Sequence, residues 1–126
     1  MINNENPSLD PKKLLTYELR LLESALYELG RVVRRRGLRA GPRPPKGIDL
    51  GCGICLIINR LGGDTYELWR ESSTSGGPYP CNVERLAEDI IINTGRRPRA
   101  ILRALNRIRA RRLWALKQIQ VWGGQR

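Results

Sequence analysis

Six aliphatic residues, Leu15, Leu19, Leu22, Leu26, Leu29 and Val33, recur at alternating spacings of four and three. That period places them on one stripe of an α-helix, which Leu14, Leu21, Ala25 and Val32 widen. Asp10-Pro11 gives the helix a start, an N-cap carboxylate before proline at the first helical position. Arg34, Arg35 and Arg36 load its last turn, where cations complement the helix dipole, and Gly37 supplies the stop. A stripe this broad must be covered. The cover is expected from the C-terminal segment, where Ile101, Leu105, Ile108, Ala115, Ile119 and Trp122 keep the same spacing, with Arg112 as the one break. A long final helix is therefore expected from Pro98 to about Trp122.

Between these helices the signals are mixed. Residues 37–47 hold three glycines and three prolines and read as a connector. Residues 72–82 read as a loop ending at Asn82, an N-cap for a helix over Val83–Asn93 that buries Val83, Leu86, Ala87 and Ile90. Residues 48–71 fit two structures. Ile54, Ile57, Ile58 and Leu61 share a helical face, whereas the same run followed by Gly62-Gly63-Asp64 and Thr65–Trp69 fits a β-hairpin. Helix is preferred, because the flanking elements are helices and a lone hairpin is marginal. The expected fold is all-α: a small bundle of about four helices, with a short hairpin around residues 54–69 as the alternative. One domain is expected over residues 11–126, behind a flexible polar arm at 1–10.

Charge is concentrated in two places. Of 23 Lys and Arg against 12 Asp and Glu, ten lie between Arg96 and Arg126 and seven between Arg31 and Lys46, with no acid in either block. The two blocks carry +17, leaving −6 on the rest of a chain whose net charge is +11. An ordinary solvated helix mixes signs, so an unmixed block points to a polyanionic partner. Arg99, Arg103, Arg107 and Arg111 recur every fourth residue and define a stripe on the final helix. With Arg96 and Arg97 they are the candidate phosphate contacts, and Arg34, Arg35, Arg36 and Arg39 are expected to extend the stripe. Leu86–Asp89, Asn93-Thr94-Gly95 and Pro98–Arg112 also suggest a helix-turn-helix with a spacing about three residues too long.

The chemistry this chain lacks is equally informative. It has no histidine, which removes Ser-His-Asp and Cys-His nucleophiles and imidazole metal sites. Cys52 and Cys55 have C-x-x-C spacing, with Cys81 as a third candidate ligand and Asp49 as a fourth, but no histidine or second cysteine pair completes a zinc site, and packed structural thiols are the preferred reading. Ile48-Asp49-Leu50-Gly51-Cys52-Gly53 resembles the first glycine motif of S-adenosylmethionine-dependent methyltransferases, yet Cys55 replaces the following glycine and too little chain remains for the seven-stranded sheet. Met1–Pro11 is polar, without the apolar core of a secretory signal, and the Ile54–Ile58 run is too short to span a bilayer. Together with an odd cysteine count, these features suggest a cytoplasmic protein with no membrane partner. No catalytic residue, cofactor or metal is expected.

Three short motifs, Arg36-Gly37-Leu38, Cys55–Leu61 and Asn93-Thr94-Gly95-Arg96-Arg97 before Ala100–Arg107, resemble in their order a family of small uncharacterised proteins from actinobacteria and their phages. This chain has Ile92, Thr94 and Arg97 where that pattern has Trp, Asp and Thr. The resemblance implies a compact helical fold and lends no activity to carry over. The function expected from the residues is a non-enzymatic accessory protein that binds DNA or RNA through phosphates. The alternatives are a phage- or virus-type module for an acidic protein partner, with a homodimer through the apolar stripes as one form, and a helix-turn-helix regulator.

Overall fold

Asp10 caps the first helix, its Oδ1 accepting the Lys12 amide at 3.0 Å, and α1 runs over Pro11–Arg35. The computed structural model describes residues 10–37, 41–73 and 76–124, so the N-terminal arm lies outside the described residues apart from Asp10. After the connector come β1 (Ile48–Asp49), β2 (Ile54–Leu61), β3 (Thr65–Ser72) and β4 (Gly76–Pro80). Two helices follow, α2 (Val83–Thr94) and α3 (Pro98–Gly123).

The all-α expectation is overturned. The four strands form one antiparallel meander in the order β1-β2-β3-β4, and the fold is α+β. The helical spacing of Ile54, Ile57, Ile58 and Leu61 coexists with a strand alternation. Ile54, Leu56 and Ile58 point into the core, while Ile57 belongs to the opposite face. Opposite them Tyr66 and Leu68 bury the inner face of β3, and Gly62 and Gly63, at φ 64 and 85°, turn the chain between the strands. Nor is this hairpin alone. β1 and β4 pair with its edges, and α1 packs against β3, which removes the instability that favoured a helix. The loop expected at 72–82 is also shortened, because Gly76–Pro80 pairs with β3 as an exposed edge strand.

The helices cover the inner face of the sheet through α1, which packs against α2, α3 and β3. Glu18 meets Arg109 and Arg112, and Val32 lies beside Gly123, so α3 runs in the same direction as α1. Lys12 pairs with Glu88 and Arg20 with Glu84, so α2 runs the opposite way. The core joins the expected α1 stripe to Leu86 and Ile90 of α2, Ile101, Leu105 and Ile108 of α3, and Leu50, Ile54 and Leu56 of the sheet. Among the described residues no helix is long and apolar enough to cross a membrane.

Candidate nucleic-acid interface

The reversal from α2 into α3 uses two left-handed residues, Gly95 and Arg96, at φ 62 and 61°. Pro98 then opens α3 behind Arg97, which offers no side-chain cap. A residue every fourth position drifts about 40° around a helix. Arg99, Arg103, Arg107 and Arg111 therefore form a row that turns from solvent towards the β1 edge as it ascends. Contacts follow that drift. Arg103 lies over Gly51, where an added Cβ would come within 3.2 Å of Arg103 Cδ. Arg107 Nη1 donates to the backbone carbonyl of Asp49, and Arg111 Nη2 donates to that of Lys46 at 3.2 Å. The row thus covers the sheet edge, whose outward carbonyls need partners.

Those partners are neutral, so the guanidinium charges stay uncompensated. Among the described residues, no carboxylate lies within ion-pair distance of Arg96, Arg97, Arg99, Arg103, Arg107, Arg111 or Lys46. Arg96, Arg97, Arg99 and Arg103 are exposed, and Arg107 and Arg111 are half-buried. The other arginines of α3 differ. Arg109 and Arg112 turn to the opposite flank and share Glu18, at 3.2 and 3.4 Å.

Of the first basic block only Lys46, at its far end, meets the row; Arg34, Arg35 and Arg36 do not extend it, although Arg36 has no carboxylate partner among the described residues. Arg34 pairs with Asp64 at 3.0 Å, and Arg31 and Arg35 pair with Glu28 at 3.0 and 3.8 Å. The hydrogen bond and charge of Arg34 hold the Asp64 carboxyl below the usual carboxylate range. Arg34, Arg35 and Arg36 sit at the end of α1 beside the end of α3, and Arg111 lies twelve residues, about 18 Å, before Gly123. Arg39 falls outside the described residues. Sequence reasoning missed this separation because Asp64 pairs with Arg34 from 30 residues away. It also left Lys46 out of the stripe, although the residue stands in the acid-free block.

The outer sheet face carries the opposite charge. Asp49 faces Cys55, which faces Glu71, and Glu67 faces Asn59. Directly paired residues project to one side of a sheet, so these three exposed carboxylates share the face opposite Ile54, Leu56 and Ile58. Ile57 and Trp69 lie between them, half-buried. Burial, then Glu71 and Asp49, push the Cys55 thiol up, against Arg111. The acidic face therefore begins where the arginine row ends.

The glycine motif of the sequence is a tight loop between antiparallel strands. Leu50 N donates to Ile54 O at 2.9 Å, with Gly51 and Gly53 at φ 83 and 79°. A cofactor-binding glycine turn joins a strand to a helix, so this loop has the wrong geometry. Burial raises the thiol pKa of Cys52 and Cys81, the latter to about 11, and no described group of three His, Cys, Asp or Glu could hold a metal ion. The solvent-facing crest of α3 carries Leu102, Asn106 and Leu113 beside Arg99 and Lys117, and Arg103, Arg107 and Arg111 lie on its flank.

No protein-family model matches this chain, and no curated protein or solved structure matches it. The helical fold implied by the three short motifs is replaced by the α+β fold described above.

Proposed function

We propose that this chain is a small accessory protein that binds nucleic acid through phosphates along the α3 flank, without catalysis. One observation carries the reading. Seven cations (Arg96, Arg97, Arg99, Arg103, Arg107, Arg111 and Lys46) have no carboxylate partner among the described residues, while Arg31, Arg34, Arg35, Arg109 and Arg112 all have one. Arg36, Arg43, Arg60 and Arg85 also have no carboxylate within ion-pair distance among the described residues, but they lie singly on the end of α1, the connector, β2 and α2, whereas this row is contiguous along one flank and maintains a directional positive field. The backbone carbonyls that hold Arg107 and Arg111 fix their side chains and leave further donors of each planar fork for phosphate. The row rises about 6 Å per step and spans about 18 Å from Arg99 to Arg111, so contact with several consecutive phosphates is within reach.

The test is a titration of the full chain with DNA, RNA and heparin across salt. Four to seven phosphate contacts predict a log–log slope on the order of −3 to −5 for single strands, with little sequence preference. Equal affinity at 50 and 300 mM salt would overturn the reading. Binding of heparin without either nucleic acid would also contradict it.

A further inference from the structure

We propose that the nucleic acid on this flank is single-stranded and that one of its bases stacks on Trp114. This inference rests on the phosphate-binding reading above.

Trp114 follows the arginine row on its own side of the helix. At 100° per residue, Arg103, Arg107, Arg111 and Trp114 fall within an arc of about 80°. The indole is half-buried and packed against the core, so its orientation is fixed before any ligand arrives. A row of cations continued by a fixed aromatic ring is the combination that single strands use, with phosphates on the charges and a base on the ring.

The surroundings of the row disfavour a duplex. The arginines stand in single file. On one side lies the crest of α3, with exposed Leu102 and Leu113 and a single further cation, Lys117. On the other, beyond β1, lies the sheet face that carries Asp49, Glu71 and Glu67. A duplex carries two phosphate strands separated by grooves about 6 and 12 Å wide. With one strand on the arginines, the other falls over a crest that offers one lysine among exposed leucines, or over carboxylates. Like charges placed against a competing ligand are a recognised source of specificity. A single strand needs one row only, and its unstacked bases are free to reach Trp114.

Fluorescence anisotropy on the full chain tests this, with a labelled 20-nucleotide mixed-sequence DNA oligomer and the same oligomer annealed to its complement, at one salt concentration. The single strand is expected to bind about tenfold more tightly, and Trp114→Leu to remove most of that preference while Trp114→Phe keeps it. Equal or tighter binding of the duplex would overturn the proposal even if no variant folds, because that comparison needs only the unaltered protein. A Trp114→Leu protein that folds by circular dichroism and keeps the full preference would also overturn it. If neither oligomer binds at low salt, the phosphate-binding reading itself has failed and this inference falls with it.

Discussion

Arg107 donates to the backbone carbonyl of Asp49, a residue 58 positions earlier, and so ties the middle of α3 to the two-residue edge strand β1. One side chain thereby serves the fold and the surface field together. Arg107→Ala should cost about 1 kcal/mol of stability in urea, since a charged donor to an edge carbonyl is lost. It should also weaken polyanion binding. A variant with unchanged stability would show that the edge is held by other contacts.

Glu18 is the buried counterpart on the other flank. Its carboxylate, with a side chain 9% exposed, takes both Arg109 and Arg112. Glu18→Gln removes the compensating charge from two half-exposed guanidiniums, and a loss of about 1–3 kcal/mol is expected. Denaturant unfolding checks the size. Nucleic-acid affinity should hold or rise, because positive charge increases. A fall in affinity with the fold intact would contradict the separation of the two flanks.

Gly30 marks the closest approach of α1 to the β2–β3 turn. A Cβ at this position would be driven into the backbone carbonyl oxygen of Asp64. Backbone cannot yield as a flexible side chain can, so Gly30→Ala should destabilise by about 1–3 kcal/mol despite its better helix propensity. The direction of the melting-temperature shift decides the matter, and an increase would contradict the packing of α1 on the turn.

Cys81 gives a pH prediction. Burial, with Glu23 adding to it, pushes its thiol up to about 11. A thiol that resists ionisation in the folded state contributes stability below its unfolded pKa, near 9, and loses that contribution as pH rises towards about 11. Alkylation by iodoacetamide at pH 8 should accordingly be slower at Cys81 than in the unfolded chain. Cys81→Ser should flatten part of the alkaline loss of stability. Rapid labelling of the folded protein would contradict its burial.

The helices were legible because their evidence is local. Asp10 and Asn82 cap as side-chain acceptors, and the stripe from Leu15 to Val33 needs only one period to be read. The sheet was obscured by its own composition. Ile57 lies beside Ile58 because both faces of β2 carry apolar side chains, and that blurs the alternation from which a strand is recognised. β4, made of Gly76-Gly77-Pro78-Tyr79-Pro80, has only Tyr79 to favour a strand against two glycines and two prolines, and forms by pairing with β3. The arginine row was visible as a spacing of four. Its separation from Arg34, Arg35 and Arg36 was not, because ion pairing and helix direction are tertiary facts.

The most direct measurement compares two charge reversals by oligonucleotide titration at several salt concentrations. Arg99 and Arg103 are exposed members of the row, while Arg34 and Arg35 are already paired with Asp64 and Glu28. Both doubles, Arg99→Glu/Arg103→Glu and Arg34→Glu/Arg35→Glu, change net charge by the same amount. The account predicts that the first loses at least tenfold in affinity and flattens the salt dependence by about two contacts, with the second close to the unaltered protein. Equal losses in both would show that only overall charge matters, and would contradict a binding row on α3.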